Sequence, residues 1–457
     1  MDATKIIQIL CDNGFKAYLT GGAVRDLFIG KTPNDEDVTT NATPEEIENL
    51  FPDSKINSVG KQFLVTIVDN IEVATYRSDK NCNVIGKDHA KVFKCETIEE
   101  DLARRDFTIN AMAFCPYTGD TIDLYGGKED LSTGTIKFVG NPKDRILEDP
   151  CRILRACRMA AIISGHIEIE SLIAMKKEAH LVRIVVKPER IRLEILKAMK
   201  SEYPGIFFGY LKEIGLLEFI FPSLFKTISY GGGQYHGETV YAHSIIVGNS
   251  MKASKKTGDQ QSLIRLAGFL HDVGKPQAWI ENNEEDFHFH EIIGSNCIKE
   301  ELKNLRFSIS EIEYITNLIR LHMYSFTDNI SDKSIRKFII KLKDHNITYQ
   351  DWMRLRIADR IGNLKKTKYS IQKIRNYFNK VENILTEKEF VSKLSLLKVN
   401  GNDVMKITKR KPCKEIGIIL NQLLDLVIDN PELNNEEFLS EKIHEIDVEL
   451  YYENILN

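Results

Sequence analysis

The periodicity of the chain changes near Asn141-Pro142, and that change constrains the fold more than any other feature. Up to Gly140, short β-branched runs alternate with short helical stretches; beyond it, apolar residues recur at helical spacing almost throughout. The pattern predicts an α+β head with a small mixed sheet over residues 1–140, followed by all-α structure. In the head, Ala17 to Thr20 reads as a strand, Gly21-Gly22 as a tight turn and Ala23 to Ile29 as a helix. Asp35 to Thr40 reads as a second strand, and Gln62 to Val68 with Glu72 to Tyr76 as an antiparallel hairpin about Asp69-Asn70-Ile71. A chain of 457 residues exceeds one core. Breaks at Pro188, Pro204, Pro222 and Gly231-Gly232-Gly233 divide the rest into an expected neck (141–230), body (231–365) and tail (366–457).

Apolar content of 42% and charged content of 28% are those of a soluble globular protein. The N-terminus lacks a signal-peptide pattern and no apolar run is long enough to cross a bilayer, so a cytoplasmic protein without membrane contact is expected. Eight cysteines without Cys-x-x-Cys spacing fit reduced thiols. A net charge of −4 alone counts against a nucleic-acid partner, yet cations concentrate in 183–200, 365–380 and 406–414. Local basic surface is therefore available.

Three constellations carry chemistry. Gly21-Gly22-Ala23-Val24-Arg25-Asp26 puts a turn without side chains before a helix N-terminus, where Gly22 backbone and Arg25 can hold phosphate. Asp35 and Asp37, at i and i+2 of a strand, would share one side and bind hard cations such as Mg²⁺. That arrangement suits two-metal phosphoryl transfer, although an isolated pair also reads as a solvated acidic turn. Next, Asp149 reads as the N-cap before Pro150, with Arg152, Arg155 and Arg158 at spacing three. Arginines near a helix N-terminus oppose its dipole, so helix stability does not explain them. Lastly, His271-Asp272 ends an apolar helix at a break supplied by Gly274 and Pro276.

The first constellation, with Arg104-Arg105-Asp106-Phe107-Thr108-Ile109-Asn110-Ala111, resembles class II nucleotidyltransferases, the bacterial CCA-adding and poly(A) polymerase family. The resemblance runs over nearly the whole chain and makes residues 1–140 a nucleotidyltransferase head. It implies that Arg105 contacts a triphosphate and that Asp106 and Asn110 organise the sugar end. On the residues alone, the arginine pair beside a carboxylate equally reads as a structural ion-pair knot. Glu148-Asp149-x-x-Arg152 resembles the motif by which such enzymes dispense with a template. A carboxylate accepts from the exocyclic amine of cytosine or adenine and a guanidinium donates to the adjacent ring acceptor; guanine and uracil present the reverse pattern. By the same resemblance Arg155 and Arg158 hold nucleotide or primer.

Two departures stand out. Gly60 to Val65 lacks the family's Gly-x-x-His/Phe-Gly-Thr pattern, while the polar stretch 79–91 stands where the family has a mobile loop, which favours complete CCA addition. The order His243, His271-Asp272, Asp359 resembles the HD superfamily and implies one divalent ion of unspecified identity, with His290 and His322 around it or on a second ion. A 2′,3′-cyclic phosphodiesterase or phosphatase activity is the implied chemistry. Leu396 to Met405 resembles the family's tail, and the basic run Thr408 to Lys414 is expected to grip the tRNA elbow. The expected function is addition of C, C and A to the tRNA 3′ end from CTP and ATP. The rivals are a poly(A) polymerase and an HD phosphohydrolase with an RNA- or nucleotide-binding head. Oligomeric state is not legible.

Overall fold

The computed structural model describes residues 1–33, 35–57, 63–78, 93–231, 238–251, 260–324, 330–386 and 394–456. Strands β1 (Ala17–Thr20), β2 (Asp37–Thr40), β3 (Ile56–Asn57), β4 (Val65–Val68), β5 (Ile71–Thr75), β8 (Met112–Phe114) and β9 (Thr121–Asp123) form one sheet in the order β3-β4-β5-β2-β1-β8-β9. β6 (Arg77–Ser78) and β7 (Phe93–Lys94) make a separate small ladder. β2 and β5 run parallel; the other main-sheet pairs are antiparallel, so the sheet is mixed. The helix Ala3–Asp12 buries Ile6, Ile7 and Leu10, one face of its 3.6-residue period, in the head core.

Three local readings shift. The second strand begins at Asp37, because its last partner on β1 is Thr20; Gly21 then turns away and leaves Asp35 on the preceding bend. The β4–β5 hairpin turns on two residues rather than three. Asp69 and Asn70 both have left-handed backbone (φ 48° and 73°), the geometry of a tight hairpin turn matched to strand twist. Gln62 and the Gly60 to Gln62 part of the departure from the family pattern lie outside the described residues, as do 79–92 and Gly232-Gly233. Asp149 ends the helix Pro142–Glu148, and the next helix is Cys151–Ile163. Its carboxylate still accepts from the Cys151 amide at 3.1 Å, the bond a capping residue makes.

Among the described residues beyond 140 the structure is helical apart from Thr135–Ile136 pairing with His166–Ile167 across the junction and a single bridge between Gly231 and Thr239. Pro188 opens the helix Pro188–Ala198, where a missing N–H costs nothing. The carboxyl end of that helix is fastened to the next helical unit by Arg265, which donates to the carbonyls of Met199, Ser201 and Glu202. Burial pushes this guanidinium down to about 10, and the carbonyls at the negative end of the helix dipole are its compensation. The helices Gly401–Thr408, Lys414–Asp429 and Glu436–Leu456 enclose an apolar cluster of their own, and ion pairs Lys333–Asp429 and Lys337–Asp425 join them to the rest.

Candidate active sites

A cleft of about 310 Å³ opens at the carboxyl end of β1. Gly21 and Gly22, Asp37, Glu72, Arg105, Asp106, Asn110, Asp149, Arg152 and Arg155 all line it. Gly21 is required here twice over: its φ is +68°, and a Cβ would stand 3.0 Å from Arg105 Nη1. Arg104 and Arg105 both pair with the buried carboxylate of Asp101, at 3.0 and 3.1 Å. Burial alone would raise the Asp101 carboxyl, but the two guanidiniums prevail and hold it below the usual range. The ion-pair knot and the cleft wall are thus one structure.

Asp37 carries the opposite perturbation. Desolvation by the cleft walls raises its carboxyl, and the neighbouring carboxylates of Glu72 and Asp35 raise it further, against Arg105 and Arg77. Asp35 itself is exposed on the bend and is not among the lining residues. Glu72, on β5, was not singled out from the sequence; its alternation within a β-branched run was the available signal.

Asp106 accepts from the Phe107 amide and Asn110 and pairs with Arg155 at 2.7 Å. Asp149 takes two bonds from Arg190, Nη1 to Oδ1 at 2.9 Å and Nη2 to Oδ2 at 2.7 Å. Burial works to raise Asp149, but the Arg190 bonds and charge hold it below its ordinary value, so it stays an ionised acceptor. Arg152 pairs with Glu148 and donates to the carbonyls of Arg145 and Arg104. Arg190 lies in the basic run noted above, but its bidentate grip on a residue 41 positions away has no local signature.

Two expected cleft residues lie elsewhere. Arg25 is buried behind the glycine turn, held by Asp26 and donating to Asn110 Oδ1 at 3.0 Å. It braces a lining residue without lining the cleft. Arg158 is buried and paired with Glu194 of the Pro188–Ala198 helix. Each step of three residues rotates a side chain by roughly 60° around a helix, which carries Arg158 off the face that Arg152 and Arg155 present.

The second centre gathers six residues. His243 Nε2 lies 3.2 Å from His271 Nε2, 3.2 Å from Asp359 Oδ1 and 3.5 Å from Asp272 Oδ2. His290 and His322 approach the other oxygen, Asp272 Oδ1, at 3.2 and 3.6 Å. Two triads therefore share Asp272: His243–His271–Asp272 and Asp272–His290–His322. The helix break at Gly274 makes this possible, since a Cβ there would meet the His290 carbonyl at 2.0 Å. Nδ1 of His271, His290 and His322 each contacts a backbone carbonyl, of Gly268, Phe287 and Ile319. A carbonyl only accepts, so Nδ1 carries the hydrogen and Nε2 faces the other ligands.

Burial opposes charge on His271, yet Asp272 and Asp359 prevail and push it up to about 10; burial drives His322 down to about 4. Asp272 is held well below the carboxylate range, burial being overcome by His271 and Lys275. Two cations missed in the sequence complete the centre: Lys275 on Asp272 at 2.6 Å and Arg356 on Asp359 at 2.7 Å.

Residues 17–137 match the poly A polymerase head domain, residues 166–227 the probable RNA and SrmB-binding site of polymerase A, and residues 240–347 the HD domain. Poly(A) polymerase I of Salmonella typhimurium is 36% identical over 246 residues, 50% of this chain and 52% of that protein. The chain thus spans about half the length of the curated relatives it matches at this level. The CCA-adding enzyme of Ligilactobacillus salivarius is 27% identical over 458 residues, 96% of this chain and 95% of that one. Among solved structures, the Bacillus stearothermophilus CCA-adding enzyme in complex with CTP covers 99% of this chain and 98% of its own, with a TM-score of 0.70 at 20% identity. The Thermotoga maritima CCA-adding enzyme complexed with tRNA covers 97% and 94%, with a TM-score of 0.56 at 19% identity. At such identities these structures establish the α+β head and helical remainder as a shared fold. With the head, RNA-binding and HD matches in this order, the chain is similar along its length to CCA-adding enzymes and over about half of it to poly(A) polymerases, with an HD-domain match behind its head.

Proposed function

We propose that the chain adds C, C and A to the 3′ end of tRNA from CTP and ATP without a nucleic-acid template. The observation that carries this reading is that Asp149 and Arg152 line the same cleft as Asp37 and Arg105. Asp149 and Arg152 are of the acceptor and donor types that would read a base edge, and Asp37 with Arg105 are a carboxylate and a guanidinium for the triphosphate. Discrimination follows from protonation: an ionised Asp149 only accepts, so it favours the amino groups of cytosine and adenine over the carbonyls of uracil and guanine.

Desolvation and then the carboxylates of Glu72 and Asp35 raise the Asp37 carboxyl, an environment that fits a place for divalent cations. Asp37 with Asp35 would hold Mg²⁺, which when bound supplies charge for the triphosphate and a lowered pKa for the attacking hydroxyl. Arg105, held against Gly21, is positioned for developing phosphate charge. Arg155 and Asp106 brace the nucleotide side, and Arg25 fixes Asn110 from behind. The basic stretch Thr408 to Lys414 would meet tRNA phosphates, with Arg410 partly engaged by Asp447.

The HD centre would be a second, metal-dependent phosphohydrolase. Nε2 atoms and carboxylates of six residues converge in a buried pocket, a donor set suited to divalent metal and poor for anything else. His243, His271, Asp272 and Asp359 would hold one ion, which when bound supplies a nucleophile from water. His290 and His322 would hold a second ion together with Asp272.

Incorporation of labelled CTP and ATP, separately and together, onto tRNA transcripts lacking CCA tests the leading reading. Addition of two C and one A, abolished by Asp35→Ala plus Asp37→Ala, is expected. Long ATP-only tails would make the chain a poly(A) polymerase, a class that matches half of it at 36% identity. No incorporation would leave the HD centre as its activity.

A further inference from the structure

The cavity above the HD centre measures about 840 Å³. That is near the top of the range for ligand pockets, roughly 300–1,000 Å³, and far exceeds one phosphate group. Asp272, Asp359, His290 and His322 line its floor. Their contacts order them in a line, from His290 and His322 through the two oxygens of Asp272 and the buried ring of His243, which does not line the cavity, to Asp359. Each end of that line has an aromatic wall. At the His290 end stand Trp279 and Phe287, with ring centroids 5.1 Å apart, and Phe289 at the rim. At the Asp359 end stands Tyr369, with the Arg360 guanidinium over its ring at 5.0 Å. Between the walls, Lys275 and Arg356 reach in from Asp272 and Asp359.

Phe289 singles out the first wall. Its backbone is left-handed (φ +63°), a conformation unfavourable for a bulky aromatic residue, and its side chain leaves it 65% exposed. The same loop holds Asn283 and Glu284 left-handed, at φ 54° and 64°. Phe289 takes this backbone as the cap of the His290–Asn304 helix, and its ring, 6.5 Å from that of His288, is left exposed at the cavity. Core packing does not account for that exposure; a stacking face for a ligand does.

We infer that this cavity takes a phosphodiester joining two nucleosides, one base stacking on the Trp279–Phe287–Phe289 wall and the other on Tyr369. The inference rests on the phosphohydrolase reading and names its substrate class. A mononucleotide would use one wall and leave the other idle; a phosphodiester places its charge between Lys275 and Arg356 while its bases reach both. In the reaction the oxygen of water bonds to phosphorus, the bond from phosphorus to one sugar oxygen breaks, and that oxygen takes a proton. A linear dinucleotide yields a nucleotide and a nucleoside, an RNA end a shortened strand and a released nucleoside or nucleotide, and a cyclic dinucleotide a linear one with a terminal phosphate, with no change of oxidation state. The linkage has two sources, the 3′ end of an RNA strand and a free dinucleotide.

Trp279 and Trp352 are the only tryptophans, and Trp352 is fully buried, so fluorescence quenching reports on the first wall. The full chain, supplied with Mn²⁺, is titrated with a phosphorothioate-linked ApA dinucleotide, with AMP and with inorganic phosphate. ApA should quench Trp279 and bind about tenfold tighter than AMP, the gain expected for one further stacked base. By calorimetry, Tyr369→Ala and Trp279→Ala should each remove about tenfold of ApA affinity. Equal affinities for ApA and AMP, or an ApA-to-AMP ratio unmoved by Tyr369→Ala, overturn the two-base inference. Absence of Mn²⁺ uptake by the full chain carrying Asp35→Ala plus Asp37→Ala, which empties the head site, followed by equilibrium dialysis, overturns the phosphohydrolase reading instead. Tighter binding of a short RNA ending in two adenosines than of ApA supports the inference with an RNA end as source; tighter binding of cyclic di-AMP supports it with a free dinucleotide.

Discussion

Arg190→Ala separates reading a base from transferring it. Asp149 receives two bonds from Arg190 and one from the Cys151 amide, so the substitution removes two of its three described restraints. Arg190 is about half exposed, with 48% of its side chain accessible, so water screens the pair. Exposed ion pairs contribute about 0.2–1 kcal/mol, and the bidentate geometry places this one near the top of that range. About 1 kcal/mol corresponds to roughly a fivefold change at 1.36 kcal/mol per decade. KM for CTP and ATP should therefore rise about fivefold, and preference over UTP and GTP should shrink by a similar factor. kcat should change little, because Asp37 and Arg105 are untouched. Arg190→Lys, which keeps the charge and loses the fork, should fall between. The assay is single-nucleotide addition to a tRNA transcript with each of the four nucleotides. A fall in kcat of equal size for all four, with KM and preference unchanged, would refute the reasoning and reduce Arg190 to a brace for its helix.

Gly21→Ala should cost about 1–2 kcal/mol for the left-handed backbone and push Arg105 from its 3.0 Å position; urea unfolding and a raised KM for both nucleotides check it. In a chain carrying Asp35→Ala plus Asp37→Ala, which empties the head, His290→Ala plus His322→Ala should lower bound metal from two ions to one by elemental analysis, whereas Asp272→Ala should release both; two ions retained in the first variant would disprove the two-triad assignment. Asp101→Asn should destabilise by about 2–3 kcal/mol, below the range for breaking a fully buried pair because both arginines keep some water contact. Asp101 has a lowered folded pKa, so its share of stability is present above its ordinary value near 3.9 and lost as pH falls through the lowered one. The gap between wild type and Asp101→Asn in urea melts should therefore narrow toward pH 3, and a constant gap would exclude the ion pairs as its cause.

Local signals read well because their causes are local. A glycine pair after a β-branched run can do little but turn, and the strand, turn and helix stand at Ala17–Thr20, Gly21 and Gly22–Phe28. His243, His271, Asp272, Asp359, His290 and His322 converge despite separations of up to 116 positions, and only their resemblance to a known pattern made that foreseeable. What the local signals could not give was decided by partners elsewhere in the chain. Asp35 lies off its strand because β1 ends at Thr20. Arg25 was expected at a phosphate from its place after the glycine turn and Arg158 at nucleotide or primer from the resemblance, and Asn110 and Glu194 hold them across 85 and 36 positions. Arg190 was one cation in a basic run until Asp149 came within reach.

Asp272 gives one oxygen to each of the two histidine pairs. In hereditary terms this makes the pair of ion sites a single locus. A mutation in that one codon removes both, and no later change at His290 or His322 restores either. Changes at His290 and His322 alone would remove one ion site and spare the other, so only this codon ties the two together, while the cleft of the head draws on none of these residues.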